Sequence, residues 1–205
     1  MATKLSNFIS DIGQGVKPNM FIVDIAFPTE VSGADGDADM INLLCKSAAL
    51  PASNLGVIEV PFRGRTVKIA GDRTFDTWTA TFVNDKEMKI RAYFEQWLAQ
   101  INSHEKNNAP LFTPGSDGGY TKTLKVKQLE KNASDSGEVL RQYDLMYAFP
   151  TNVSQIDLAY DSNDQIEEFT VEFQYSYWKA VTGEGQNGVT GVKSGIGDQR
   201  LVTDW

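Results

Sequence analysis

The chain has 205 residues, enough for one sizeable core or a domain with an extension, and its 41% hydrophobic and 22% charged residues are ordinary for a globular protein. Lys plus Arg number 19 against 27 Asp plus Glu, a net charge of −8. This argues against a protein that grips duplex DNA, because phosphate neutralisation needs a basic face. One cysteine, Cys45, leaves no internal disulfide, and one histidine, His104, leaves no histidine-rich metal site. The amino terminus lacks the apolar run of a signal peptide, and no segment approaches the ~20 apolar residues of a membrane span. The chain is expected to be made in the cytosol and to stay there or assemble there, without membrane insertion.

Leu5, Phe8, Ile9 and Ile12 share one face of a short helix predicted over residues 3–12. Pro18 and Asn19 open a predicted strand from Met20 to Phe27. The run from Glu30 through Asp35, Asp37 and Asp39 has no basic residue and reads as an acidic insertion. Strands are predicted around Ile41–Ala48 and Leu55–Phe62, with a break at Pro51. From Arg65 to Asp85 the alternation predicts a hairpin turning at Gly71-Asp72, where glycine supplies positive φ. Asp85 is positioned to cap a helix from Glu87 to Ile101, whose Ile90, Phe94, Trp97, Leu98 and Ile101 form a broad apolar stripe.

The Pro- and Gly-rich stretch Asn107–Tyr120 reads as a loop, followed by strands over 121–130 and 139–149. In the last predicted strand, Phe169, Val171, Phe173, Tyr175 and Tyr177 alternate with Thr170, Glu172, Gln174, Ser176 and Trp178. Residues 179–205 carry six glycines and few large apolar groups before Leu201 and Trp205, which reads as an extension. The pattern predicts a mainly β fold, an antiparallel β-barrel or sandwich with one flanking α-helix. It divides the chain into a β domain over 1–178 and a Gly-rich extension over 179–205.

No catalytic, cofactor or metal constellation stands out. Gly183, Gly185 and Gly188 have the spacing of a dinucleotide fingerprint, but more glycine follows where a helix is required. Counting a calcium loop from Asp35 puts Met40 at the glycine position and Lys46 at the glutamate position. His104 sits among Ser103, Glu105 and Lys106 at a solvated helix end, so no nucleophilic triad is legible and an enzyme is not expected. Trp78 and Trp178 are assigned to strand faces opposite the core, where a large aromatic implies a second apolar contact such as a subunit interface.

The segment Ala70-Gly-Asp-Arg-Thr-Phe-Asp-Thr-Trp78, leading to Asn84-Asp85, resembles the tail tube proteins of contractile-tailed bacteriophages. Pro18-Asn19-Met20-Phe21, Cys45-Lys46-Ser47-Ala48-Ala49-Leu50-Pro51-Ala52, Phe149-Pro150-Thr151-Asn152-Val153, Asp161–Val171 and Tyr177-Trp178 are similar in the same order, so the likeness covers about residues 17–178. The acidic insertion and the residues after 178 look like additions to it.

This resemblance implies a structural virion protein of the phage tail, assembled in the host cytoplasm. Its subunits would form homohexameric rings stacked into a tube inside a contractile sheath, with viral genome ejection through the channel. Implied partners are the tail sheath, tape measure, baseplate and tail-terminator proteins, with double-stranded DNA passing transiently and without specific binding. Trp78, Glu172, Gln174, Ser176, Trp178, Leu201 and Trp205 are the expected interface residues. Asp157, Asp161, Asp164, Glu167 and Glu168 are candidates for the channel lining. A baseplate tube initiator, the tube of a bacterial contractile injection system, and a soluble β-sandwich enzyme or sugar-binding module remain alternatives.

Overall fold

The computed structural model describes residues 2–13, 15–106, 119–130 and 139–181. Its elements in chain order are α1 (Ala2–Ile12), β1 (Phe21–Asp24), a 3-10 turn (Ala34–Asp37), α2 (Ala38–Leu43), β2 (Cys45–Ala48), β3 (Asn54–Phe62) and β4 (Arg65–Thr74). There follow β5 (Trp78–Val83), α3 (Lys89–Ile101), β6 (Lys122–Leu129), β7 (Val139–Val153), β8 (Glu168–Gln174) and β9 (Tyr177–Val181). Among the described residues seven strands form one sheet in the order β1-β6-β7-β8-β5-β2, with β9 also paired to β7, while β3 and β4 pair with each other and with no other described strand. The fold is mainly β, and the ladders β2–β5, β5–β8, β7–β8 and β3–β4 are antiparallel.

Two compact units share the chain. One takes in Met1–Phe21, Lys127–Gln142 and the residues from Val181 onward; the other comprises Ile22–Val126 and Tyr143–Ala180. In the first, Gln128 donates its side-chain amide to the carbonyls of Lys17 (2.8 Å) and Met20 (2.6 Å), and the Leu129 amide donates to Met20 at 2.9 Å. The apolar stripe of α1 runs through Leu5, Phe8, Ile9 and Ile12, all more than half exposed.

The second unit holds the aromatic core. Its register explains which face is buried: Trp78, Ala80 and Phe82 of β5 lie directly opposite Phe173, Val171 and Phe169 of β8. Directly opposite residues in an antiparallel pair point to the same face. Six apolar side chains therefore share one surface, and all six are buried. Helix α3 lies on this surface. Phe94 sits 5.1 Å from Phe82 and 5.9 Å from Phe173 between ring centroids, and Trp97 sits 5.3 Å from Phe27. The Trp97 indole N–H is satisfied by the Tyr120 carbonyl at 2.8 Å, as a buried indole requires. The helix begins at Lys89 with Met88 at the capping position, and the Asp85 carboxylate accepts the amides of Glu87 and Ile90, each at 3.2 Å.

The hairpin turn, the segment before β2 and the last strand differ from the sequence-based expectation. The hairpin turns at Arg63-Gly64 and not at Gly71-Asp72. Arg63 and Gly64 have φ of 45° and 79°, and two consecutive positive φ values define the turn whose twist suits a hairpin. Gly71 lies inside β4, where the pairing passes from Leu55↔Arg73 to Val57↔Ala70, so that Gly56 faces two residues. A Cβ on Gly71 would come within 3.1 Å of the Gly56 backbone, so this glycine serves close approach at a bulge. Second, residues 38–43 are helical, not the start of a strand. Third, the last predicted strand is two strands, broken at Ser176, whose amide donates to Met146 at 3.0 Å.

The acidic segment is packed into the core and is not a free loop. Val31, Ala34 and Ile41 are buried. The Tyr93 hydroxyl of α3 donates to Asp37 Oδ2 at 2.6 Å, and the Phe27 ring meets that of Tyr93 at 6.1 Å.

Candidate assembly surface

The β3–β4 hairpin buries none of its residues except in part at Gly71. Cross-strand pairs Ile58↔Ile69 and Val60↔Val67, with Phe62 beside them, make one face apolar. The other face carries Val57↔Ala70, Pro61↔Thr66 and Glu59↔Lys68, the last joined by an ion pair of 3.5 Å. A two-stranded hairpin is marginal alone in water, and a contiguous exposed apolar face is characteristic of interaction sites. At its tip Arg63 stacks over the Phe62 ring at 5.4 Å, and Arg65 stands beside it.

The hairpin is rooted at one end of the β5–β8 ladder. Asn54 hydrogen-bonds Asp76, Arg73 reaches Ser53 at 2.5 Å, and Trp78↔Phe173 is the ladder's terminal pair there. The opposite end, at Val83↔Glu168, carries the long connection between β7 and β8. This connection projects Leu158 (81% exposed), Tyr160 (108%) and Ile166 (73%) into solvent. It has no Lys or Arg.

The residues singled out from sequence fall into distinct settings. Trp78 is 2% exposed, with its indole N–H donating to the Ala49 carbonyl at 2.6 Å. Its second apolar contact is thus inside the subunit, and the strand face assigned to it from sequence is reversed. Trp178 is half-buried, donates to Ala52 at 2.9 Å and meets the Tyr143 ring edge-on at 5.4 Å. Glu172 and Gln174 are half-buried on the face of β8 away from the core, and Gln174 donates to Thr77 at 2.7 Å. Ser176 is exposed, but its backbone donor is used within the chain.

Of the acidic candidates, Glu168 pairs with Lys46 and Glu167 accepts from the Asn84 side-chain amide at 3.0 Å. Asp157, Asp161 and Asp164 are exposed. Leu201 and Trp205 lie outside the described residues. Among the described residues no three His, Cys, Asp or Glu side chains converge as a metal site would require, and no helix is long and apolar enough to cross a membrane.

The family described as phage tail tube protein matches residues 16–181. The chain belongs to that family. It is 32% identical over 178 residues to tail tube protein gp19 of Enterobacteria phage T4, covering 84% of this chain and 99% of that protein. Among solved structures, its fold is similar to one described as the sheath/tube terminator of an extracellular contractile injection system in the extended state. That likeness has a TM-score of 0.54 at 15% identity and covers 82% of this chain and 96% of the other. A second, from the six-fold symmetrised baseplate of the anti-feeding prophage, gives 0.50 at 12% identity and covers 80% and 93%. The chain is a structural tail tube subunit of a contractile phage, a component of the virion tail.

For a tube protein the most informative residues are ones that sequence periodicity did not isolate. Arg63 is in the turn and Phe62 and Arg65 flank it, and their exposure follows from the hairpin standing apart from the sheet. Leu158 and Tyr160 sit in a connection without strand or helix period. The available signal was large apolar side chains inside an otherwise acidic loop.

Proposed function

We propose that this subunit closes into homohexameric rings that stack into the inner tube of the tail, inside the sheath, and that the genome leaves through its channel. The observation that carries the reading is the β3–β4 hairpin, which among the described residues pairs with no other strand and leaves an apolar face uncovered. Strand edges left open in one subunit are completed by another in a closed assembly. The net charge of −8 suits a conduit that lets DNA pass, since an acidic wall repels phosphate. On this reading the chain performs no catalysis. The sheath contacts the outside of the rings, the tape measure protein fills the channel before ejection, and baseplate and terminator proteins cap the two ends.

Residues 1–178 form the tube domain in this proposal, and 179–205 an extension whose Leu201 and Trp205 reach a neighbouring subunit. Glu172, Gln174 and Trp178 contribute to contacts within the ring. Negative-stain electron microscopy of the purified chain tests the reading. Six-fold rings or tubes are expected; a monomer at high concentration would refute it.

A further inference from the structure

We propose that Leu201, Val202 and Trp205 of the extension seat on the apolar face of α1 in a neighbouring copy, tying the two subunits together. This rests on the tube reading above and names the surface that receives the extension.

The first observation is a helix face with nothing on it. Leu5, Phe8, Ile9 and Ile12 follow one side of α1 and are all more than half exposed. A helix of 11 residues is marginal in water unless such a stripe is packed. Ile12 also opens into a hollow of about 210 Å³ that Val16, Leu129 and Leu140 help to line. A space of roughly 150 Å³ already accepts a benzene ring, so the hollow has room for one large aromatic side chain.

The second observation is where the family likeness stops. The tail tube family matches residues 16–181, so α1 and residues 182–205 lie outside it, one on each side. The shared tube fold accounts for neither. Trp205 is the only aromatic residue after Trp178. The spacing of Leu201, Val202 and Trp205 suits one side of a helical turn, the pattern that also gathers the α1 stripe. Two apolar surfaces of similar size, each without a place in the family fold, complement one another.

Chain length decides between the subunit's own helix and a neighbour's. Val181, where the family match ends, belongs to the same compact unit as α1. From Val181 to Leu201 the chain can span up to about 66–72 Å, whereas α1 is only about 16 Å long. Contact with its own α1 would leave most of that reach unused, and the six glycines within it add to the entropy lost on ordering. A neighbouring copy uses the reach, and a closed ring holds that copy at high effective concentration. Exchange of a terminal segment between identical copies links subunits at low cost.

Cysteine crosslinking tests this, because the native Cys45 is buried and so resists reaction. One population of full-length chains carries Asn7→Cys, an exposed position beside Phe8 on α1; the other carries Thr203→Cys. The two are mixed, assembled and oxidised with diamide, and unlike pairs are counted by mass on non-reducing gels. Such pairs are expected. Adding Phe8→Ser and Ile9→Ser to the α1 population should lower their yield more than about ten-fold, since two apolar contacts are lost. Phe8→Leu should keep the yield. Both positions are exposed, so thermal unfolding of the subunit should not change and misfolding would not explain the loss.

A chain carrying both cysteines separates the two geometries: linked chains are expected, and disulfides confined to single chains would overturn the neighbour contact. A pair yield indifferent to Phe8→Ser and Ile9→Ser, or no unlike pairs at all, would overturn the seat on α1. Electron microscopy of the same samples scores assembly separately. Six-fold rings without unlike pairs reject this contact and leave the tube reading standing, whereas unlike pairs without rings support the contact and reject the tube reading.

Discussion

The hydroxyl of Tyr93 on α3 donates a 2.6 Å hydrogen bond to Asp37 at the end of the acidic segment's 3-10 turn. This bond fastens residues 30–43 over the aromatic core, beside the Phe27–Tyr93 contact. Gly33 is needed there: a Cβ at that position would approach the Tyr93 hydroxyl to 3.2 Å, and its φ is +86°.

Tyr93→Phe removes the bond but keeps the ring. It leaves the Asp37 carboxylate without this donor, and a hydrogen bond to a charged group contributes about 1.5–3 kcal/mol. Urea unfolding should show a loss of about that size with an unchanged slope.

Trp78→Ala should destabilise the isolated subunit by about 3–5 kcal/mol, as large-to-small changes of buried aromatics do. Trp78 is 2% exposed and its ring lies 5.5 Å from Phe173. Chemical denaturation at a concentration where the protein is monomeric checks this. A normal midpoint with failed ring formation would instead place Trp78 at an interface. Phe173→Asp, which buries an unpaired charge opposite Trp78, should prevent folding altogether.

Gly64→Val should separate folding from assembly. Gly64 has φ +79° and open space for 4 Å around the position a Cβ would take, so the cost is backbone strain alone, about 1–3 kcal/mol for a β-branched residue. The exposed hairpin can relieve that strain by opening locally without disturbing the core, so the melting temperature of the subunit should hardly move. Tube yield, measured by sedimentation, should fall.

Burial pushes the Cys45 thiol up to about 12 from 9.0. A thiol raised on folding contributes stability that is fully present below pH 9 and is lost as pH rises toward 12, because the unfolded chain ionises first. The Tyr93 hydroxyl, held up by its bond to Asp37, and that of Tyr175, held up by burial, act in the same direction. Denaturant midpoints measured between pH 8 and 11 should decline, and Cys45→Ala should flatten part of that decline. Native protein at pH 8 should resist thiol alkylation until it unfolds.

Periodicity was sufficient to specify the elements in which it is long and strong. Of the α3 stripe, Ile90, Phe94 and Trp97 are buried while Leu98 and Ile101 are half-buried, and the face Phe169, Val171 and Phe173 of β8 is buried. The family likeness was legible in ordered motifs from Pro18 to Trp178. Which face of β5 is inside was not legible, because a two-residue period defines two faces and the register with β8 chooses between them. The hairpin turn moved from Gly71-Asp72 to Arg63-Gly64 for a related reason: a glycine is equally at home in a turn and at a bulge, and cross-strand pairing selects the use. Three-dimensional packing also set the place of the acidic segment. Its run of acidic residues read as an insertion, yet Val31, Ala34 and Ile41 are buried, because covering the Phe27–Tyr93 edge removes apolar surface from water while Asp39 stays exposed and Asp37 accepts the Tyr93 hydroxyl.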